Sequence, residues 1–209
     1  MEKLIKIKVN DISLEGILNI PKGARGIVLF AHGSGSSRLS PRNSFVAKFL
    51  QDGKLGTLLI DLLTSREDEV YENRFDINLL TERLTFIINW LHKQEETKNF
   101  AIGLFGSSTG AAAAIKAAAV LGSEIKGVVS RGGRPDLALD VIDKVVSPTL
   151  LIVGGNDFGV IGLNEDVYNQ LRCEKKIEII ERATHLFEEP GTLEKVSEFA
   201  TDWFKKYLV

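Results

Sequence analysis

Apolar and polar residues alternate over residues 3–9, with Ile5, Ile7 and Val9 on one face and Lys6 and Lys8 on the other. The alternation returns over 12–20 through Ile12, Leu14, Leu18 and Ile20. A period of two predicts strands, and Asn10-Asp11 between them fits a two-residue hairpin turn. From residue 26 the pattern changes. GIVLFA (26–31) is a continuous apolar run, as expected of a strand buried on both faces of a parallel sheet. Similar runs recur at TLLI (57–60), FAIGLF (100–105), GVVS (127–130), TLLIVG (149–154) and IEII (177–180).

Helical periodicity falls between these runs. Ile77, Leu80, Leu84, Ile87, Ile88 and Leu91 share one stripe of a helix over 77–91, with Asp76 placed to cap it. Residues 108–121 are rich in alanine, which lets a helix lie close against a sheet. Residues 192–207 repeat the stripe through Leu193, Val196, Ala200, Trp203, Phe204 and Tyr207. Strand-helix alternation predicts an α/β fold with right-handed crossovers. The expected sheet is mostly parallel, of about eight strands, with helices on both faces and the N-terminal antiparallel hairpin at one edge. No linker or repeat interrupts the pattern, so residues 1–209 are expected to form a single domain.

Composition narrows the partners. The 209 residues carry 26 Lys and Arg against 28 Asp and Glu, a formal charge of −2. Neither a nucleic-acid-binding surface nor a polybasic membrane surface is expected from that balance. Cys173 stands alone, and the N-terminal residues do not resemble a secretory leader, so a cytoplasmic setting is expected. The stretch AIGLFGSSTGAAAAIKAAAVLG has the length of a membrane span and a small-xxx-small pair in Gly106 and Gly110. Lys116 and its Ser-Thr-Gly centre make it a buried strand, turn and helix instead.

That turn carries the first chemical signal. Gly106-Ser107-Ser108-Thr109-Gly110 fits G-x-S-x-G after a strand and before a helix, the setting of a nucleophile elbow. A serine hydroxyl needs a neighbouring base, and histidine has the matching basicity. Three histidines exist. His92 ends the amphipathic helix, and His32 sits in the glycine-rich loop after the third strand, where a structural role is expected. His185 follows the last strand, at the strand end where open parallel sheets bind ligands. Asp157, after Val153-Gly154-Gly155-Asn156, is the acid able to orient it. The chain order Ser108, Asp157, His185 is the order of a hydrolase triad. The loop Ala31-His32-Gly33-Ser34-Gly35 offers the Ser34 N–H as one oxyanion donor, with the Thr109 N–H as the other. A rival dinucleotide loop is suggested by Gly33-x-Gly35 and by Asp61 ending the next strand. Arg38 stands where its third glycine belongs, and Pro41 starts the helix too late.

These features resemble an α/β-hydrolase, and more narrowly the dienelactone-hydrolase-like branch. The strings HGSGSSRLSPRN, GLFGSSTGAAAA, VVSRGGRPDLA and GGNDFGVIGLN are similar to hydrolase domains of that branch, some of which occur fused to phosphoribosyltransferases. The resemblance spans nearly the whole chain. It implies Ser108 as nucleophile, His185 as base, Asp157 as its orienter, an oxyanion hole at Ser34 and Thr109, and no cofactor or metal. Dienelactone hydrolases proper use a cysteine nucleophile, whereas this elbow carries a serine and Cys173 lies outside it. The expected class is therefore hydrolysis of an ester, thioester or lactone of a small to medium soluble substrate. The alternatives are a hydrolase-like binding protein without catalysis and, behind it, a nucleotide-binding oxidoreductase. The short 131–148 connection leaves no room for a lid. Arg131 and Arg134, in Ser130-Arg131-Gly132-Gly133-Arg134, are candidates to hold a carboxylate or phosphate on the substrate.

Overall fold

A computed structural model of the chain describes residues 2–209. One eight-stranded sheet organises it, in the order β1-β2-β4-β3-β5-β6-β7-β8. The strands are β1 (Glu2–Val9), β2 (Ile12–Asn19), β3 (Gly26–Ala31), β4 (Gly56–Ile60), β5 (Ala101–Ser107), β6 (Ile125–Arg131), β7 (Thr149–Gly154) and β8 (Lys175–Ile180). β1 and β2 form the expected antiparallel hairpin, and β2 joins the rest antiparallel to β4. All other neighbours are parallel. Asn10 takes a φ of 53°, which a two-residue turn matched to the strand twist requires.

Among the described residues five helices lie between strands, α1 (Pro41–Asp52), α2 (Ser65–Asp68), α3 (Ile77–Leu91), α4 (Thr109–Leu121) and α5 (Phe158–Gln170), and α6 (Thr192–Leu208) follows the last strand. The apolar stripe of α3 packs with α4 and α5 on one face of the sheet. α1 and α6 cover the other face through Val46, Leu50, Val196 and Phe204. Every residue of β3 and β7 is buried, as their unbroken apolar runs predict. The run over 177–180 behaves differently. It belongs to the edge strand β8, where Ile179 and Glu178 are only partly covered. Helix α5 lacks a strong stripe, which is why periodicity alone does not reveal it; only Asn164 and Val167 are buried.

Residues 132–148 hold 3₁₀ turns between Pro135 and Lys144, and no lid covers the strand ends. Among the described residues, no helix is long and apolar enough to cross a membrane. The parallel strands all end on the same side, so the loops after β3, β5, β6, β7 and β8 converge along one edge.

Candidate active site

β5 ends at Ser107 and α4 starts at Thr109, so Ser108 alone turns the chain. Its φ of 51° and ψ of −124° lie in a region that non-glycine residues avoid. Neighbouring backbone holds it there. Ser108 N–H donates to the Arg131 carbonyl at 3.4 Å, and the Ser108 carbonyl accepts from Arg134 N–H at 3.1 Å. The turn also depends on absent side chains. A Cβ on Gly110 would stand 2.2 Å from the Ala31 oxygen, one on Gly106 2.4 Å from Ala111 Cα, and one on Gly33 2.9 Å from Ser108 Cβ. The first turn of α4 carries no acidic residue. Its unpaired N–H groups leave positive potential beside Ser108.

His185 lies in the loop after β8, and Asp157 caps α5 after β7. The two loops meet because glycine allows it. A Cβ on Gly154 would stand 2.4 Å from the Ala183 oxygen, and Asn156 N–H donates to that same oxygen at 2.9 Å. This brings His185 Nδ1–H to donate to Asp157 Oδ2 at 2.7 Å. With Nδ1 protonated and held, Nε2 is the basic nitrogen. The Asp157 side chain is 13% exposed and the His185 ring 39%, so the carboxylate is sheltered while the ring is open to solvent.

Ser108 and His185 share a cavity of about 170 Å³, lined also by Ser34, Ser36, Ser40, Arg42 and Arg131. No hydrogen bond joins the serine and histidine side chains among the described residues. Catalytic contacts of this kind commonly tighten only when substrate binds. The Ser34 N–H is engaged by Thr109 Oγ1 at 3.0 Å.

The two arginines separate. Arg134 turns away and forms two hydrogen bonds to Asp136, at 2.8 and 2.7 Å. Arg131 is 6% exposed and lines the cavity. One of its nitrogens donates to Asn43 Oδ1 at 3.3 Å, its guanidinium lies 5.8 Å from the Phe187 ring centre, and Nε has no partner. Burial, with the neighbouring Arg42 charge, pushes its pKa down to about 10, which still leaves it cationic at neutral pH. Arg42 reaches Glu188 at 2.7 Å across the rim. The glycines of the Arg131–Arg134 loop serve geometry that sequence reasoning does not reveal. Gly132 has a φ of 49°, and a Cβ there would stand 3.0 Å from the His185 oxygen. One loop thus supports both Ser108 and His185.

The remaining candidates have structural partners. Arg38 pairs with both Asp61 and Glu15, so the carboxylate that a dinucleotide site would need at the end of β4 is already held by Arg38. His92 lies 3.6 Å from Glu124 at the end of α3. Cys173 is half-buried, and burial pushes its thiol above the ordinary range. His32 is buried, with Nε2 accepting from Leu62 N–H at 3.0 Å and Nδ1–H donating to the Gly33 carbonyl at 3.0 Å. It therefore ties the Gly33 loop to the end of β4.

Burial holds His32 below its ordinary pKa of 6.5. The unfolded chain then binds that proton more readily than the folded one. The stability contributed by neutral His32 is complete above pH 6.5 and is lost as the pH falls below it. Urea midpoints measured between about pH 7.5 and 5.5 should fall less steeply for His32→Gln, whose amide accepts from Leu62 without titrating. Parallel pH profiles for the two proteins would contradict this assignment.

A parallel sheet with a hairpin at one edge and a strained serine elbow at its strand ends defines an α/β-hydrolase. A model of the dienelactone hydrolase family matches residues 61–208, and the chain belongs to that family of hydrolases. It is 52% identical to the crystal structure of a dienelactone hydrolase from Anabaena variabilis ATCC 29413, with a TM-score of 0.97 over 100% of this chain and 99% of that one. It is also 48% identical to Mycobacterium tuberculosis proteins that carry a phosphoribosyl transferase name, over 98% of this chain but 46% of theirs. The chain spans about half the length of these curated relatives. A Xanthomonas campestris α/β serine hydrolase without lid shares the fold at 18% identity, with a TM-score of 0.79 over 99% of this chain and 95% of that one.

Proposed function

We propose that the protein is a serine hydrolase that cleaves an ester, thioester or lactone of a small to medium soluble substrate in the cytoplasm. The observation that carries this is the meeting of the Ser108 elbow with the His185–Asp157 pair at one cavity. Ser108 Oγ attacks the acyl carbonyl while His185 Nε2 takes its proton. Asp157 holds the ring in the right tautomer and stabilises the imidazolium that forms. The tetrahedral oxyanion collapses, the bond to the leaving group breaks, and His185 returns the proton to that group. Water then attacks the acyl-Ser108 ester with His185 again as base, releasing the acid and the serine.

Arg131 supports an anionic substrate. A buried cation without a carboxylate partner is costly, and a substrate carboxylate or phosphate offers the missing charge. Arg42, also at the cavity, adds to the same field. Arg131→Met should raise KM for an ester bearing a carboxylate or phosphate by about 10- to 100-fold, from the loss of a charge-assisted hydrogen bond. Hydrolysis of a neutral ester of similar size should stay within about threefold. Equal losses on both esters would remove Arg131 from recognition.

A fluorophosphonate probe tests the nucleophile directly. It should form one covalent adduct, mapped by peptide mass spectrometry to Ser108 and lost on prior acid denaturation. An unlabelled native protein would instead point to a hydrolase fold used only for binding.

A further inference from the structure

We propose that the Thr109 side-chain hydroxyl is a direct oxyanion donor, held in place by the Ser34 amide. The proposal rests on Ser108 as nucleophile. Thr109 is 3% exposed and is the first residue of α4. Its Oγ1 accepts the Ser34 N–H at 3.0 Å. Its own hydroxyl hydrogen donates to no protein group among the described residues. A buried hydroxyl that accepts but has nowhere to donate forgoes a hydrogen bond it can make.

The oxygen formed at the tetrahedral carbon supplies that acceptor. Backbone N–H groups at the start of α4 are unpaired and favour negative charge there. Thr109 Oγ1 is three covalent bonds from its own N–H. The N–H and O–H of one residue can therefore grip the same oxygen. The Ser34 amide is already committed to Thr109, so it acts through the hydroxyl and is a positioning group. Donating into Oγ1 polarises the O–H and strengthens its next bond. That strengthening favours the charged transition state over the neutral carbonyl, as catalysis requires.

The test compares Thr109→Val, which keeps the shape and removes the hydroxyl, with Thr109→Ser, which keeps the hydroxyl. Turnover of p-nitrophenyl acetate and binding of a trifluoromethyl ketone, which forms a tetrahedral oxyanion adduct, are both measured. Thr109→Val should lower kcat by about 10²- to 10³-fold and weaken the ketone in parallel, with KM within a few-fold. Thr109→Ser should retain most activity. Thr109→Ala, which adds no bulk, repeats the measurement if the valine variant does not fold. A Thr109→Val or Thr109→Ala enzyme with unchanged or higher kcat would overturn the proposal and return the role to the freed Ser34 amide. Ser108→Ala is assayed alongside. If it stays active, the nucleophile assignment fails and the hydroxyl role with it. If it is dead while Thr109→Val is active, only the hydroxyl role fails.

Discussion

Ser108→Ala is expected to lower turnover of a small activated ester by about 10⁴-fold or more, because among the serines of the cavity Ser108 is the one at the strained turn between β5 and α4. The loss should come without unfolding. Ser108 Oγ makes no hydrogen bond that holds the fold, and its backbone N–H and carbonyl keep their bonds to Arg131 and Arg134. Ser108→Gly sharpens the expectation. At a φ of 51° a serine is strained and a glycine is not. The glycine variant should be equally inactive yet more stable, by about 1 kcal/mol or more. Melting temperature and ester turnover measured on the same samples check both statements. An active Ser108→Ala enzyme would sink the proposed chemistry. A glycine variant less stable than the serine parent would show that the turn is not a strained one.

Gly110→Ala is expected to be the most damaging single-methyl change at the elbow. The added Cβ would stand 2.2 Å from the Ala31 oxygen and 2.5 Å from the His32 oxygen. Both obstacles are backbone, one at the end of β3 and one in the loop that carries Gly33 and Ser34. The start of α4 and the end of β3 would have to separate. In a close-packed interior such overpacking is not absorbed by side-chain movement. A destabilisation of about 4 kcal/mol or more is expected, seen as a lower urea midpoint. Turnover should fall beyond what the stability loss explains, since Ser34 and Thr109 would no longer meet. A near-native midpoint would mean that the helix can shift, and that the elbow is looser than its contacts indicate.

How much of this site was legible in the sequence depends on the kind of interaction. Ser108 was legible because an elbow has a local requirement: a strand before, a helix after, and glycines where backbones crowd. Asp157 and His185 were legible as residues at strand ends, but their 2.7 Å bond was not. It depends on Gly154 letting β7 approach the Ala183 carbonyl, a contact between segments about 30 residues apart. The arginines mark the limit most clearly. Arg131 and Arg134 sit in the same short loop, and nothing in Ser-Arg-Gly-Gly-Arg tells them apart. Gly132, with its positive φ, lies between them; Arg131 lines the cavity and Arg134 meets Asp136. Helix α5 leaves little trace in the sequence. Its buried face is small, so its pattern is faint.

The sequence by itself determined the α/β alternation, the edge hairpin, the elbow and the serine in it, because each follows from the period of side chains along a few consecutive residues. Only the tertiary structure decided which histidine and acid meet, which arginine faces the cavity, and that the Thr109 hydroxyl takes the Ser34 amide. Those outcomes depend on distances between separate loops at one sheet edge. Such distances are set by how closely backbone can approach backbone, and no local period encodes them.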